Sequence, residues 1–144
     1  MIPTFWFRWL QVVTIGVILY GVGLIVMPGF ALDFFSLIFF SKTGGFQAQY
    51  SPEAIHYISF IHGDLGSIII GWGVTIFLIL NGPFLRAEKG GWAMFAWSMA
   101  AWFVFGAVHS YYAGFWHNIV FNLLFLLLYA IPLMATRKYF KKES

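Results

Sequence analysis

His56-Tyr-Ile-Ser-Phe-Ile-His-Gly-Asp-Leu-Gly-Ser67, continued by Ile70-Gly-Trp-Gly73, places two histidines, an aspartate and four glycines inside one apolar run. The run extends from Pro52 to Leu80 and exceeds the ~20 residues a helix needs to cross a bilayer. Backbone groups in hydrocarbon must be bonded within their own segment, which selects helix over open sheet. Ionisable groups at such a place are costly and mark a function or a partner.

Three further segments of the same kind flank this one, from about Phe5 to Met27, Trp92 to Tyr112 and Phe115 to Thr136. The predicted fold is therefore all-α: an integral membrane four-helix bundle forming a single domain over residues 1–144. The first segment has an apolar part too long for a signal peptide and no convincing cleavage site, so it reads as retained. Between the first two spans, Phe30 to Phe40 is apolar but too short to cross. It reads as a short interfacial helix in the first outer loop, with Asp33 and Ser36 toward water and Phe34 and Ile38 toward lipid. Ser41-Lys-Thr-Gly-Gly45 has the composition of a flexible loop.

Ser51-Pro52-Glu53 starts the second span: serine caps, proline suits the first helical position, and glutamate complements the dipole. Asn81-Gly82-Pro83 is expected to end it, and Ala113-Gly114 to turn the third span into the fourth.

Composition supports the membrane reading. Of 144 residues, 61% are hydrophobic and 9% charged, whereas a soluble domain carries about 25% charge. Aromatics reach 22%, with 18 Phe and 7 Trp, more than interfacial belts alone require. The surplus rings pack between helices or against a hydrophobic ligand. Absence of cysteine excludes disulfides, thiolate metal sites, iron–sulfur clusters and cysteine nucleophiles. The net charge of +3 is topological, and no nucleic-acid partner is expected. Placing the N-terminus inside puts Arg8, Arg86, Lys89, Arg137, Lys138, Lys141 and Lys142 on the cytoplasmic side, with Lys42 alone outside. The expected location is the cell inner membrane, both termini cytoplasmic and the long first loop outside. His56, His62, His109 and His117 then all fall in the outward half.

At 100° per residue, Glu53, His56, Phe60, Asp64, Ser67, Gly71 and Thr75 share one stripe of the second span. Polar and small residues on membrane helices usually face other helices, so this stripe is expected to face inward. His62, Gly66 and Gly73 lie on the opposite side and are expected to contact another helix or a partner protein. Matching stripes are Ser98, Trp102, Phe105, His109 and Tyr112 on the third span, and Asn118, Asn122, Phe125 and Tyr129 on the fourth.

Together these predict an outward-opening pocket of His56, Asp64, Trp102, His109, Tyr112, Asn118 and Asn122, with Asp64 on its deeper level. Such a pocket suits a haem held by His56 and His109, a pigment on one histidine, or a quinone bonded by a protonated Asp64. A metal on His56, His109 and His117 is a further candidate. Plain structural roles compete: Glu53 is explained by capping, the histidines by bonds to backbone or tyrosine, and Asp64 by interhelical hydrogen bonding worth ~1 kcal/mol. No catalytic motif is legible.

Gly21-Val-Gly-Leu-Ile-Val-Met-Pro28, Gly63-Asp-Leu-Gly66 and Gly71-Trp-Gly73 resemble the layout of the small DoxX-like four-helix membrane proteins of bacteria. That resemblance implies the fold; some members are linked to quinone-coupled redox complexes, and no functional residue carries over. The leading functional expectation is an accessory or assembly subunit of a larger energy-converting complex, redox or photosynthetic. The competing one is a membrane protein holding a quinone, haem, pigment or metal in the polar pocket. The lipid bilayer and other membrane subunits are the expected partners.

Overall fold

The computed structural model of the protein describes residues 1–40 and 50–140. The loop expected at Ser41–Gly45 and the tail cations Lys141 and Lys142 lie outside the described residues. The fold is all-α, with α1 (Thr4–Val26), α2 (Pro28–Phe40), α3 (Pro52–Ile79), α4 (Lys89–Tyr112) and α5 (Trp116–Thr136). Four helices have the length and apolarity to cross a bilayer, so this is a multi-pass membrane protein.

Met27 alone separates α1 from α2. Pro28 has no N–H to continue the first helix and its fixed φ suits the first position of the next. At 13 residues, about 20 Å, α2 is too short to span. Its Asp33 is exposed as expected, but Ser36 is buried. Ser36 shares a face with Leu32 one turn earlier, which is also buried, and that face sets its direction.

Ser51 caps α3 as its sequence predicts, accepting from the Ala54 amide at 3.3 Å. Its other end falls where expected: the regular helix stops at Ile79, and Asn81-Gly82-Pro83 lies in a π turn, Leu80–Phe84, kinked at Gly82, whose φ of -106 and ψ of -110 are non-helical. Leu85 donates to the Leu80 carbonyl at 3.0 Å, and the wider turn accommodates a proline that lacks a donor. Gly91 lies against this turn, where a Cβ would meet the Pro83 backbone at 2.6 Å. Helix α4 accordingly begins at Lys89, three residues before the expected Trp92. The α4–α5 reversal contains Gly114 at φ 79, a conformation glycine adopts without penalty.

The chain divides into two compact units, one of Met1–Ile15 with the residues from Val74 onward, the other Gly16–Gly73. In the first, Phe140, Phe84, Phe95 and Tyr129 form a run of ring contacts at 4.7, 5.9 and 5.5 Å. The Tyr129 hydroxyl donates to Thr14 Oγ1 at 3.3 Å, and Thr14 donates to the Leu10 carbonyl at 2.7 Å. Pro132 sits inside α5 and cannot donate to the carbonyl four residues earlier, that of Leu128. Trp9 Nε1 donates to that carbonyl instead, at 2.9 Å. An unpaired carbonyl in hydrocarbon is costly, so the indole of α1 compensates for the proline of α5.

In the second unit, Gly21 of α1 and Gly66 of α3 meet backbone to backbone. A Cβ on Gly66 would lie 2.5 Å from the Gly21 oxygen, and one on Gly21 would lie 2.8 Å from the Gly66 oxygen. Gly73 leaves room for the Ile18 side chain, whose Cγ1 would lie 2.6 Å from a Cβ there. These pairs run α1 and α3 antiparallel and fix their register.

Candidate functional site

The register places Asp64. It stands two residues before Gly66, level with about the last turn of α1 on either glycine pair. Helix α1, 23 residues long, measures about 34 Å and matches the ~30 Å hydrocarbon thickness. Residues 52–60 of α3 therefore extend about 14 Å beyond the end of α1. Asp64 thus stands level with the last turn of α1, and Glu53 and His56 lie beyond the end of that helix.

The stripe expected to face inward faces out: Glu53, His56, Phe60, Asp64, Ser67, Gly71 and Thr75 are all exposed. Glycine decides the inward face instead, since only there do the backbones approach closely. Of the two expected contacts for His62, Gly66 and Gly73, another helix or a partner protein, the structure shows the first: they meet α1 and α2 of their own chain. The His62 ring stacks on Phe35 of α2 at 4.7 Å, and its Nδ1 is buried with no hydrogen-bond partner.

In the first unit, Asn118 Nδ2 donates to Ser110 Oγ at 2.8 Å, and Asn122 Nδ2 lies 3.8 Å from where a Gly106 Cβ would stand. These asparagines fasten α5 to α4, and Tyr129 on their stripe is buried. The expected α4 stripe faces otherwise: Phe105, His109 and Tyr112 are exposed, Tyr112 at 84%, while Ser98 and Trp102 are half-buried. The buried face of α4 is Gly91, Phe95, Met99 and Ser110. His117 is half-buried with its ring against Trp116 at 3.6 Å. His109 and Tyr112 thus do not converge on Asn118 and Asn122. Within each unit, no three of the described His, Asp or Glu residues stand close enough to share a metal ion.

What the structure does assemble is a continuous exposed ridge on α3. Glu53, His56, Tyr57, Phe60 and Asp64 lie along it, with Tyr57 at 65% and Phe60 at 64% exposure. Sequence periodicity grouped most of these residues but did not give their direction. It gave no role to Gln11, whose Nε2 donates to Asn81 Oδ1 at 2.8 Å, or to Trp92, whose Nε1 donates to the Leu133 carbonyl at 2.9 Å. The signal available was an amide and an indole within apolar runs. Comparison with family models, curated proteins and solved structures finds no match to this chain.

Proposed function

We propose that this protein is an accessory or assembly subunit of a larger energy-converting membrane complex, docking through the ridge of α3. The observation that carries this reading is the combination on that ridge: two aromatic rings, a histidine and two carboxylates, all exposed, on turns that extend past α1. Aromatic groups interleaved with a few polar ones are characteristic of protein interfaces. Lipid alone gives no reason for carboxylates there, and water alone gives none for Phe60.

The basic residues support an inner-membrane orientation with the ridge outward. Arg8, Arg86, Lys89, Arg137 and Lys138 belong to the unit bound together by the Gln11–Asn81 and Trp92–Leu133 contacts, and positive charge favours the cytoplasmic side. The resemblance to DoxX-like proteins, some linked to quinone-coupled redox complexes, points to an energy-converting host.

Extraction of tagged protein from native membranes in mild detergent tests this. A stable co-purifying complex is expected, dissociated by Phe60→Ala with Asp64→Ala and retained with Leu78→Ala. Recovery of free monomer alone overturns the proposal. A stoichiometric optical cofactor in that monomer would instead support the ligand-holding reading.

A further inference from the structure

A shallow, open groove of about 540 Å³ lies along one face of the first three turns of α1, and all its lining residues, Thr4, Phe5, Arg8, Trp9, Val12 and Val13, belong to that helix. Five of its six lining residues present apolar or hydroxyl groups, and Arg8 supplies the one cation. The Trp9 wall is held in place by its bond to the Leu128 carbonyl. Among the described residues of this unit, Glu88 is the single carboxylate, and it pairs with Arg86. Arg8 therefore has no described anion in its unit, and Lys89, Arg137 and Lys138 add further uncompensated charge.

We propose that this groove binds one anionic phospholipid, its phosphate on the Arg8 guanidinium and an acyl chain along Trp9, Val12 and Val13. Length and charge support that occupant. Arg8 lies one turn inside the start of α1, so its side chain can extend along the apolar stem and hold its head at the headgroup level. Guanidinium matches the geometry of a phosphate through paired N–H donors. The apolar residues continue for about 8 Å beyond Arg8, counted along the helix, in the direction an acyl chain takes from its headgroup. A soluble phosphate would leave this apolar part unused, which commits the site to a lipid. The site lies on α1 and is independent of the α3 ridge.

Native mass spectrometry of the purified protein, relipidated with equal phosphatidylglycerol and phosphatidylcholine, tests the proposal. The wild type is expected to retain one phosphatidylglycerol in preference to phosphatidylcholine. Arg8→Gln should lower that retention about fivefold, the scale of one basic residue at an anionic surface, and remove the preference. Lys138→Gln, outside the groove, should leave both unchanged. Val12→Trp fills the groove and should lower retention of either lipid, which keeps the test decisive if Arg8→Gln does not fold. Glycerophosphoglycerol, the headgroup without chains, should not compete. Equal retention of the two lipids, an equal effect of Lys138→Gln, no effect of Val12→Trp, or competition by the headgroup alone would each overturn the site.

Discussion

Gly21 and Gly66 touch through their backbones, each standing where the other's Cβ would have to go. Gly66→Ala forces the α1–α3 contact apart and is expected to cost ~1–3 kcal/mol, the usual range for overpacking. Gly71, on the same helix, has nothing within 4 Å of its would-be Cβ. Gly71→Ala should be neutral or stabilise α3 by up to ~1 kcal/mol through helix propensity. Reversible unfolding in mixed micelles measures both, and equal effects would contradict the packing described.

Trp9 and Pro132 should be energetically coupled. Trp9→Phe leaves the Leu128 carbonyl unpaired and is expected to destabilise by ~1–3 kcal/mol. In a Pro132→Ala background the helix supplies its own donor to that carbonyl, and Trp9→Phe then costs only its packing. The double-mutant cycle should give an interaction energy of at least ~0.5 kcal/mol. Additive effects would show that the indole is not a substitute for the missing amide.

Ser110 and Asn118 form the corresponding polar link between α4 and α5. Asn118→Ala strands a buried serine hydroxyl, so it should cost more than Asn118→Ala adds in a Ser110→Ala background. The expected difference is ~0.5–1.5 kcal/mol, the net value of one hydrogen bond. Tyr112→Phe, on an 84% exposed side chain, should leave stability unchanged in the same assay.

The absence of cysteine gives a clean background for mapping depth along α3. Single cysteines at His56 and Phe60 should react rapidly with a membrane-impermeant maleimide, and one at Leu78 should be protected. Cysteine at Asp64 should react at an intermediate rate, as a boundary position. Protection at Asp64 matching that at Leu78 would instead support the deep placement its sequence suggests.

These tests bear on what a sequence of this kind discloses. Apolar length alone identifies the four spans, and Ser51-Pro52-Glu53 and Ala113-Gly114 mark two of their ends because capping and reversal are local chemistry. Facing is not local. Periodicity groups Glu53 with Asp64 correctly, but whether that group looks in or out depends on where the bilayer ends. A helix of 28 residues is longer than a bilayer requires, so its polar groups need not all be buried between helices. Likewise the π turn at Leu80–Phe84 depends on the space left by Gly91, a residue beyond the turn. Asn118 bonds to Ser110 of α4 while His109 and Tyr112 are exposed, a facing that only tertiary packing reveals.

The Trp9–Leu128 bond also imposes an order on biogenesis. Donor and acceptor are separated by 119 residues, so α1 enters the bilayer with its indole unpaired long before α5 is synthesised. When α5 arrives, its proline brings an orphan carbonyl whose remedy is already waiting in the membrane. The bond therefore forms only once α5 has reached α1.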